Sequence, residues 1–395
     1  MSTDAATRLQ ARLSDAEIRQ LAAEHVGAEL YDTEARSRPT AVILAGQSGA
    51  GKSTLASDLA EELDRKGGYI AVDADLMRAR LPYYPEVSGA DVAAETQIDA
   101  GRLAQAVRHE AVEARRNILV DGTLRDPEAA LKMVQELRGA GYEVEVHAIA
   151  VNDQISYERA TARHEHDVAE GGAGRFVPTQ WHDESFVGSA NSIRRLEFAG
   201  AVDRIAVYNR LADKIHDQAP EPGKHTAAEA FERARHQLTD YERVNLAQRW
   251  DEISESMERR GAAEFEQDRI QLRFERAHYT LRTSPQAAES YDHQYPGLES
   301  QRSKDLAERY GQRLEEAFRA GSRDQAREMP ELSVAFAAQA AAYRAGQENP
   351  ALQPVADKIQ DRIANALRTG EGLKTVQLRA NPSTERHEPA QDLAR

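Results

Sequence analysis

The chain has 395 residues, and its 66 Asp and Glu against 51 Lys and Arg leave a formal net charge of −15. That balance excludes a broad nucleic-acid or anionic-membrane face as the main activity, because phosphate surfaces require a basic one. There is no cysteine, hence neither a disulfide framework nor a thiolate metal site, and 41% hydrophobic residues suffice for two to three buried cores.

The opening Met1-Ser2-Thr3-Asp4 lacks the apolar run of a signal peptide, and no stretch approaches the ~20 apolar residues of a membrane span, so a cytoplasmic location is expected. Residues 5–37 read as amphipathic helix, with Ser14 and Glu17 spaced as a capping box before Ile18, Leu21 and Val26. From 41 to about 211, short apolar runs alternate with helical stretches. The runs are Ala41–Ala45, Tyr69–Val72, Ile118–Val120, Val144–Val151 and Arg204–Tyr208; the helices are expected near 52–66, 91–116, 127–140, 153–170 and 189–199. This alternation predicts an α/β fold, a doubly wound parallel sheet with helices on both faces.

After the first run stands Gly46-Gln47-Ser48-Gly49-Ala50-Gly51-Lys52-Ser53-Thr54. Glycines at 46, 49 and 51 allow a loop whose N–H groups turn inward at the start of the next helix, the setting that binds a phosphate. Lys52 is the point charge for the β- and γ-phosphates, and the Ser53 hydroxyl is placed for Mg²⁺. The pattern predicts ATP binding.

A P-loop alone does not select a reaction. The second run ends in Val72-Asp73-Ala74-Asp75, where a carboxylate can accept a proton from an acceptor hydroxyl, or more plainly cap the next helix. The third ends in Val120-Asp121-Gly122-Thr123-Leu124-Arg125, an acid closing an apolar strand as the magnesium-shell residue does. Residues 156–178 hold Arg159, Arg163 and Arg175 beside a Gly171-Gly172-Ala173-Gly174 hinge, the materials of a cationic flap; for Arg159 a plain surface position is the simpler reading. His164-Glu165-His166 fits no metal spacing and reads as solvated.

A Pro/Gly break at 216–226 reads as a linker, followed by a charged helical region over 227–380 and a polar tail, 381–395, expected to be disordered. Phe231, Leu238, Tyr241, Trp250, Ile253 and Met257 suggest one apolar helix face. Tyr295-Pro296-Gly297-Leu298 and Met329-Pro330-Glu331-Leu332 form a weak repeat.

Taken together, the P-loop, Val72–Asp75, Asp121–Arg125, Ser156-Tyr157 with Arg163-His164-Glu165, and Arg175 with His182-Asp183 resemble the zeta toxin family in order and rough spacing, over about residues 10–210. The resemblance implies a kinase domain over 39–215 behind a helical segment 1–38. It also implies transfer of phosphate from ATP to a sugar hydroxyl of UDP-N-acetylglucosamine, and an antitoxin protein or the chain's own helical tail as restraint. Carried over, Asp75 is the base and Arg163 and Arg175 the γ-phosphate arginines. Glu95, Asp121, Thr123 and Arg125 form the acceptor side, with Ser53 and Asp121 on magnesium. Leu81-Pro82-Tyr83-Tyr84-Pro85 departs from the family's common His-Pro pair. The alternatives are a P-loop kinase for another metabolite (NAD, a nucleoside or an antibiotic) and a non-catalytic nucleotide-binding accessory of plasmid transfer or secretion.

Overall fold

The computed structural model describes residues 11–84, 92–172 and 174–370. Its first unit comprises residues up to 238 together with 255–260, and its second 239–254 and 261 onward. The tail 381–395 lies outside the described residues, as does Pro85.

The first unit opens with α1 (Asp15–Glu29), whose capping box is formed as expected: Ser14 accepts from the Glu17 N–H, and the Glu17 carboxylate accepts from the Ser14 N–H at 2.8 Å. Six strands follow: β1 (Thr40–Ala45), β2 (Ile70–Asp73), β3 (Ile118–Asp121), β4 (Glu143–Ile149), β5 (Arg204–Tyr208) and β6 (Lys214–Gln218). They lie in the order β2-β3-β1-β4-β5-β6, all parallel except the edge strand β6. The runs become strands because β1 is apolar and buried on both faces, as a helix-covered sheet requires, while β4 is apolar on one face and buries the paired Glu145 and His147 on the other. Helices α2 (Lys52–Asp64), α3 (Ala74–Arg78), α4 (Val92–Glu113), α5 (Pro127–Gly139), α6 (Asp153–Ala169), α7 (Thr179–Phe198) and α8 (Thr226–Arg235) intervene or follow. The core gathers Ile43, Val120, Val146 and Val207 from the sheet with Val26, Leu103, Val134, Ile193 and Phe231 from the helices.

Because β1 has β3 on one side and β4 on the other, the crossover direction reverses beside it. In open α/β sheets that point, at the carboxyl ends of the strands, is where a ligand crevice opens.

Three boundaries need correction. The linker expected at 216–226 begins inside β6, whose polar sequence Lys-Ile-His-Asp-Gln hid an exposed edge strand, and ends inside α8. Helix α8 itself belongs to the first unit, with Ala227, Ala228 and Phe231 in its core, so 227–238 is not part of a separate helical region. Finally, α7 starts ten residues earlier than its apolar pattern indicated, because its first half buries His182, Ser185 and Gly188 rather than large apolar side chains.

The second unit is helical: most of α9 (Asp240–Arg259), then α10 (Glu264–Arg282), α11 (Pro285–Gln294), α12 (Leu298–Arg319), α13 (Glu331–Glu348), α14 (Gln353–Asp357) and α15 (Ile359–Thr369). The expected single face does not hold, since Phe231 lies in the first unit's core and Tyr241 is exposed. The repeat segments do open helices, α12 and α13, but Tyr310 is buried whereas Tyr343 is not. The unit's core joins Tyr279, Tyr310, Leu314, Phe318, Leu332, Phe336 and Leu367, with the Tyr310 hydroxyl donating to Glu331 at 2.9 Å.

Candidate active site

Between β1 and α2 the loop 46–51 turns on three glycines with positive φ: Gly46 (150°), Gly49 (78°) and Gly51 (86°). At Gly49 the requirement is also spatial, since a Cβ there would overlap the Ser156 carbonyl of α6. No side chain caps α2, whose N-cap is Gly51, so the first-turn N–H groups and the positive end of the helix dipole remain open to the cleft.

Lys52 arches back over the loop, donating to the Gly46 carbonyl at 3.0 Å, and its ammonium stands 3.8 Å from Asp121. Burial pushes its pKa down, against the pull of Asp121, Asp75 and Asp73. Gln47 is a brace. Its side-chain amide donates to the Val151 carbonyl (2.8 Å) and to Ser156 Oγ (3.0 Å), which meets His182 Nε2 at 2.9 Å.

The two acids of the second strand divide their work. Strand β2 ends at Asp73, whose carboxylate caps α3 by accepting from the Asp75 N–H at 2.7 Å. The plain reading of this segment therefore holds for Asp73. Asp75 sits in the first turn of α3, not on the strand, and its carboxylate is gripped from both sides. Arg78 donates to it at 2.6 Å, and Arg175 pairs with its other oxygen. Arg78 is itself buried and fixed by Thr96 (2.7 Å) and Gln97 (2.9 Å) of α4. Burial would raise the Asp75 carboxyl, but Arg175 and Arg78 outweigh it and hold its pKa below the ordinary value. Asp73 and Asp121 move the other way: burial raises both, and the neighbouring carboxylates add to it.

The loop after β3 carries backbone strain. Leu124 has φ 47°, a region that bulky side chains avoid. Helix α7 holds it there: Ser192 Oγ donates to the Leu124 carbonyl at 2.5 Å, and Gly188 lets the Arg125 carbonyl lie directly on the helix. Thr123 and Arg125 are thereby presented to the cleft.

These elements enclose a cleft of about 520 Å³. Of the residues singled out in the sequence, it brings together Ser48, Gly49, Gly51, Lys52, Ser53, Asp75, Asp121, Thr123, Arg125, Arg163 and Arg175. Gly46, Gln47, Ala50 and Thr54 do not line it. Glu95 is a correction: in the first turn of α4, its carboxylate pairs with Arg12 and does not reach the cleft, while Gln97 two residues later does. Arg159 is another, since it lines the cleft one helical turn before Arg163. Glu165, read as solvated, is 3% exposed and paired with Arg260. Missed altogether were Arg78, Phe176, Trp181 and Ser185. Only Arg78, three residues after Asp75 on a helix, left a spacing signal.

The residues fit a nucleotide and its metal. The buried Ser48 hydroxyl has no hydrogen-bond partner among the described residues, and the α2 N–H groups and Lys52 complete an anion cradle. No cluster of three or more His, Cys, Asp or Glu able to hold a metal exists among the described residues. Magnesium takes one or two protein oxygens and keeps waters and phosphates; Ser53 and Asp121 both line the cleft and are the residues that would hold it.

The zeta toxin family profile matches residues 24–221, half of the chain. The chain belongs to the zeta toxin family. Among curated relatives, this zeta-family chain is 28% identical to Toxin PezT of Streptococcus pneumoniae over 52% of its own length and 81% of that protein's. It is 27% identical to Toxin zeta of Enterococcus hirae over 47% of its own length and 65%, just under two thirds, of that protein's. A solved structure from the PezAT chromosomal toxin–antitoxin system of the human pathogen Streptococcus pneumoniae superposes with a TM-score of 0.53 at 25% identity, over 62% of this chain and 98% of that one. No helix among the described residues is long and apolar enough to cross a membrane.

Proposed function

We propose that the chain is an ATP-dependent small-molecule kinase of zeta toxin type whose acceptor is a hydroxyl of UDP-N-acetylglucosamine. The observation that carries this reading is the juxtaposition, in one cleft, of an uncapped P-loop helix with Lys52, the carboxylate of Asp75 in the first turn of α3, and arginines 159, 163 and 175. Lys52 and the loop N–H groups hold the β- and γ-phosphates of ATP. Magnesium, when bound through Ser53 and Asp121, neutralises phosphate charge. Asp75, ionised at neutral pH, accepts the proton of the acceptor hydroxyl as its oxygen bonds to the γ-phosphorus and ADP leaves. Arg163 and Arg175 stabilise the charge spread over the transferring group. As Arg175 turns to the phosphate it releases one oxygen of Asp75, while Arg78 keeps the other in place. Thr123 and Arg125 bind the acceptor's diphosphate through charge-assisted contacts worth about 1.5–3 kcal/mol each. Membership in the zeta family supports a small antitoxin protein as partner.

Asp75→Asn tests the reading because it keeps shape and removes proton acceptance. Transfer should fall about 10²–10⁴-fold with nucleotide affinity unchanged. Equal collapse of nucleotide affinity would move Asp75 to the metal and return the base to Asp73 or Asp121.

A further inference from the structure

Arg260 lies beyond the residues the family profile matches, yet it clusters with the first unit. Its guanidinium grips Glu165 of α6: Nε donates to Oε1 at 2.9 Å and to Oε2 at 3.1 Å, and Nη2 donates to Oε2 at 2.9 Å. Ser256 Oγ adds a fourth hydrogen bond, to Oε1 at 2.9 Å. Glu165 is 3% exposed, so this is a buried, multiply bonded anchor and not a surface pair.

What the anchor holds follows from α6. At about 100° per residue, Glu165 stands roughly 200° around the helix from Arg163, on the face away from the cleft. Arg159 and Arg163 line the cleft itself. At its other end α6 is fitted against the P-loop, with the Ser156 carbonyl against Gly49. Beside Glu165, the His164 ring packs edge-on against Phe176 at 5.4 Å, and Gly174 lies close on the His164 carbonyl. Phe176 is next to Arg175, which pairs with Asp75. Two cleft arginines on α6 and a third on the segment packed against it thus share one support at their back.

We infer that Arg260, with Ser256, is a positioning residue for phosphoryl transfer: it fixes the C-terminal half of α6 through Glu165 and so sets Arg159, Arg163 and Arg175 over the P-loop. The inference rests on the kinase reading above. It makes the end of α9, outside the matched family segment, a part of the catalytic apparatus.

The test uses the full chain, comparing the parent with Arg260→Gln, the apolar double variant Glu165→Leu/Arg260→Leu, and Lys52→Ala. Positioning predicts that folded Arg260→Gln has kcat about tenfold lower, since small displacements of charge-stabilising groups are costly. Its KM for ATP should stay within about twofold, because the P-loop still holds the phosphates. The double variant, which replaces a buried pair with packed side chains, should recover most of kcat. Hydrogen exchange should quicken along 160–169 in Arg260→Gln and return toward the parent in the double variant. Parent-like kcat in Arg260→Gln overturns the inference, as does a double variant that folds but stays slow. Should Arg260→Gln not fold, the double variant alone decides by the same criterion. Full turnover in Lys52→Ala overturns the kinase reading instead, and exchange along 160–169 then still reports whether Arg260 holds α6.

Discussion

At the scale of single residues, the sequence disclosed the groups that carry charge but not the ones that hold them. Lys52, Asp75, Asp121, Arg163 and Arg175 stand out because phosphoryl transfer needs those residue types in that order, and the cleft does assemble them. Gly188 was not legible as a site residue, since it acts through a neighbour distant in sequence, and Arg78 left only its helical spacing from Asp75. Gly188 shows the difference. Gly→Ala in a helix ordinarily gains up to about 1 kcal/mol from propensity. Here the added Cβ would overlap the Arg125 carbonyl, and backbone cannot yield as a side-chain tip can. Overpacking of this kind costs about 1–3 kcal/mol, so the clash wins. Gly188→Ala is therefore expected to lower stability and to raise the acceptor KM by displacing Thr123 and Arg125, leaving nucleotide affinity as it was. Titration with nucleotide and steady-state kinetics separate the two effects.

At the scale of elements, apolar strands and capped helices were readable because burial on both faces leaves a continuous apolar run, as in Ala41–Ala45; in Val144–Ile149 the run is interrupted by the buried pair Glu145 and His147. Strand β6 was not, because an antiparallel edge strand needs only backbone pairing and ion pairs. Arg204 on β5 reaches Glu145 on β4 at 2.9 Å and Asp217 on β6 at 2.6 Å, stitching three strands. The His147 hydrogen bond, with Arg204 behind it, pulls the Glu145 pKa from an ordinary 4.5 to about 2. A carboxyl depressed in the folded state contributes stability above its unfolded pKa and loses it as pH falls through the folded value. The contribution should thus be complete above about pH 4.5 and disappear toward pH 2, on the order of 3 kcal/mol in all. Urea melts of the parent and Glu145→Gln across that range should converge at low pH; curves that stay parallel would show that Glu145 is not titrating in this way.

At the scale of the whole molecule, the motifs located the catalytic half but placed its boundary too early. A chain ending at residue 215 would cut β6 and remove α8, exposing the surface that Phe231 covers. Residues 1–260 should give a soluble fragment with cooperative unfolding, and 1–215 should not; a well-folded 1–215 would show β6 and α8 to be dispensable. The same first unit holds every group assigned to phosphoryl transfer, so the central claim is a chemical one about the whole protein. Mass spectrometry of UDP-N-acetylglucosamine incubated with the purified chain and Mg-ATP tests it most directly, with Lys52→Ala in parallel. The account predicts a product carrying one added phosphoryl group, formed with ADP and absent with Lys52→Ala. An unchanged sugar nucleotide contradicts the acceptor assignment, and a product formed equally well by Lys52→Ala contradicts the site itself.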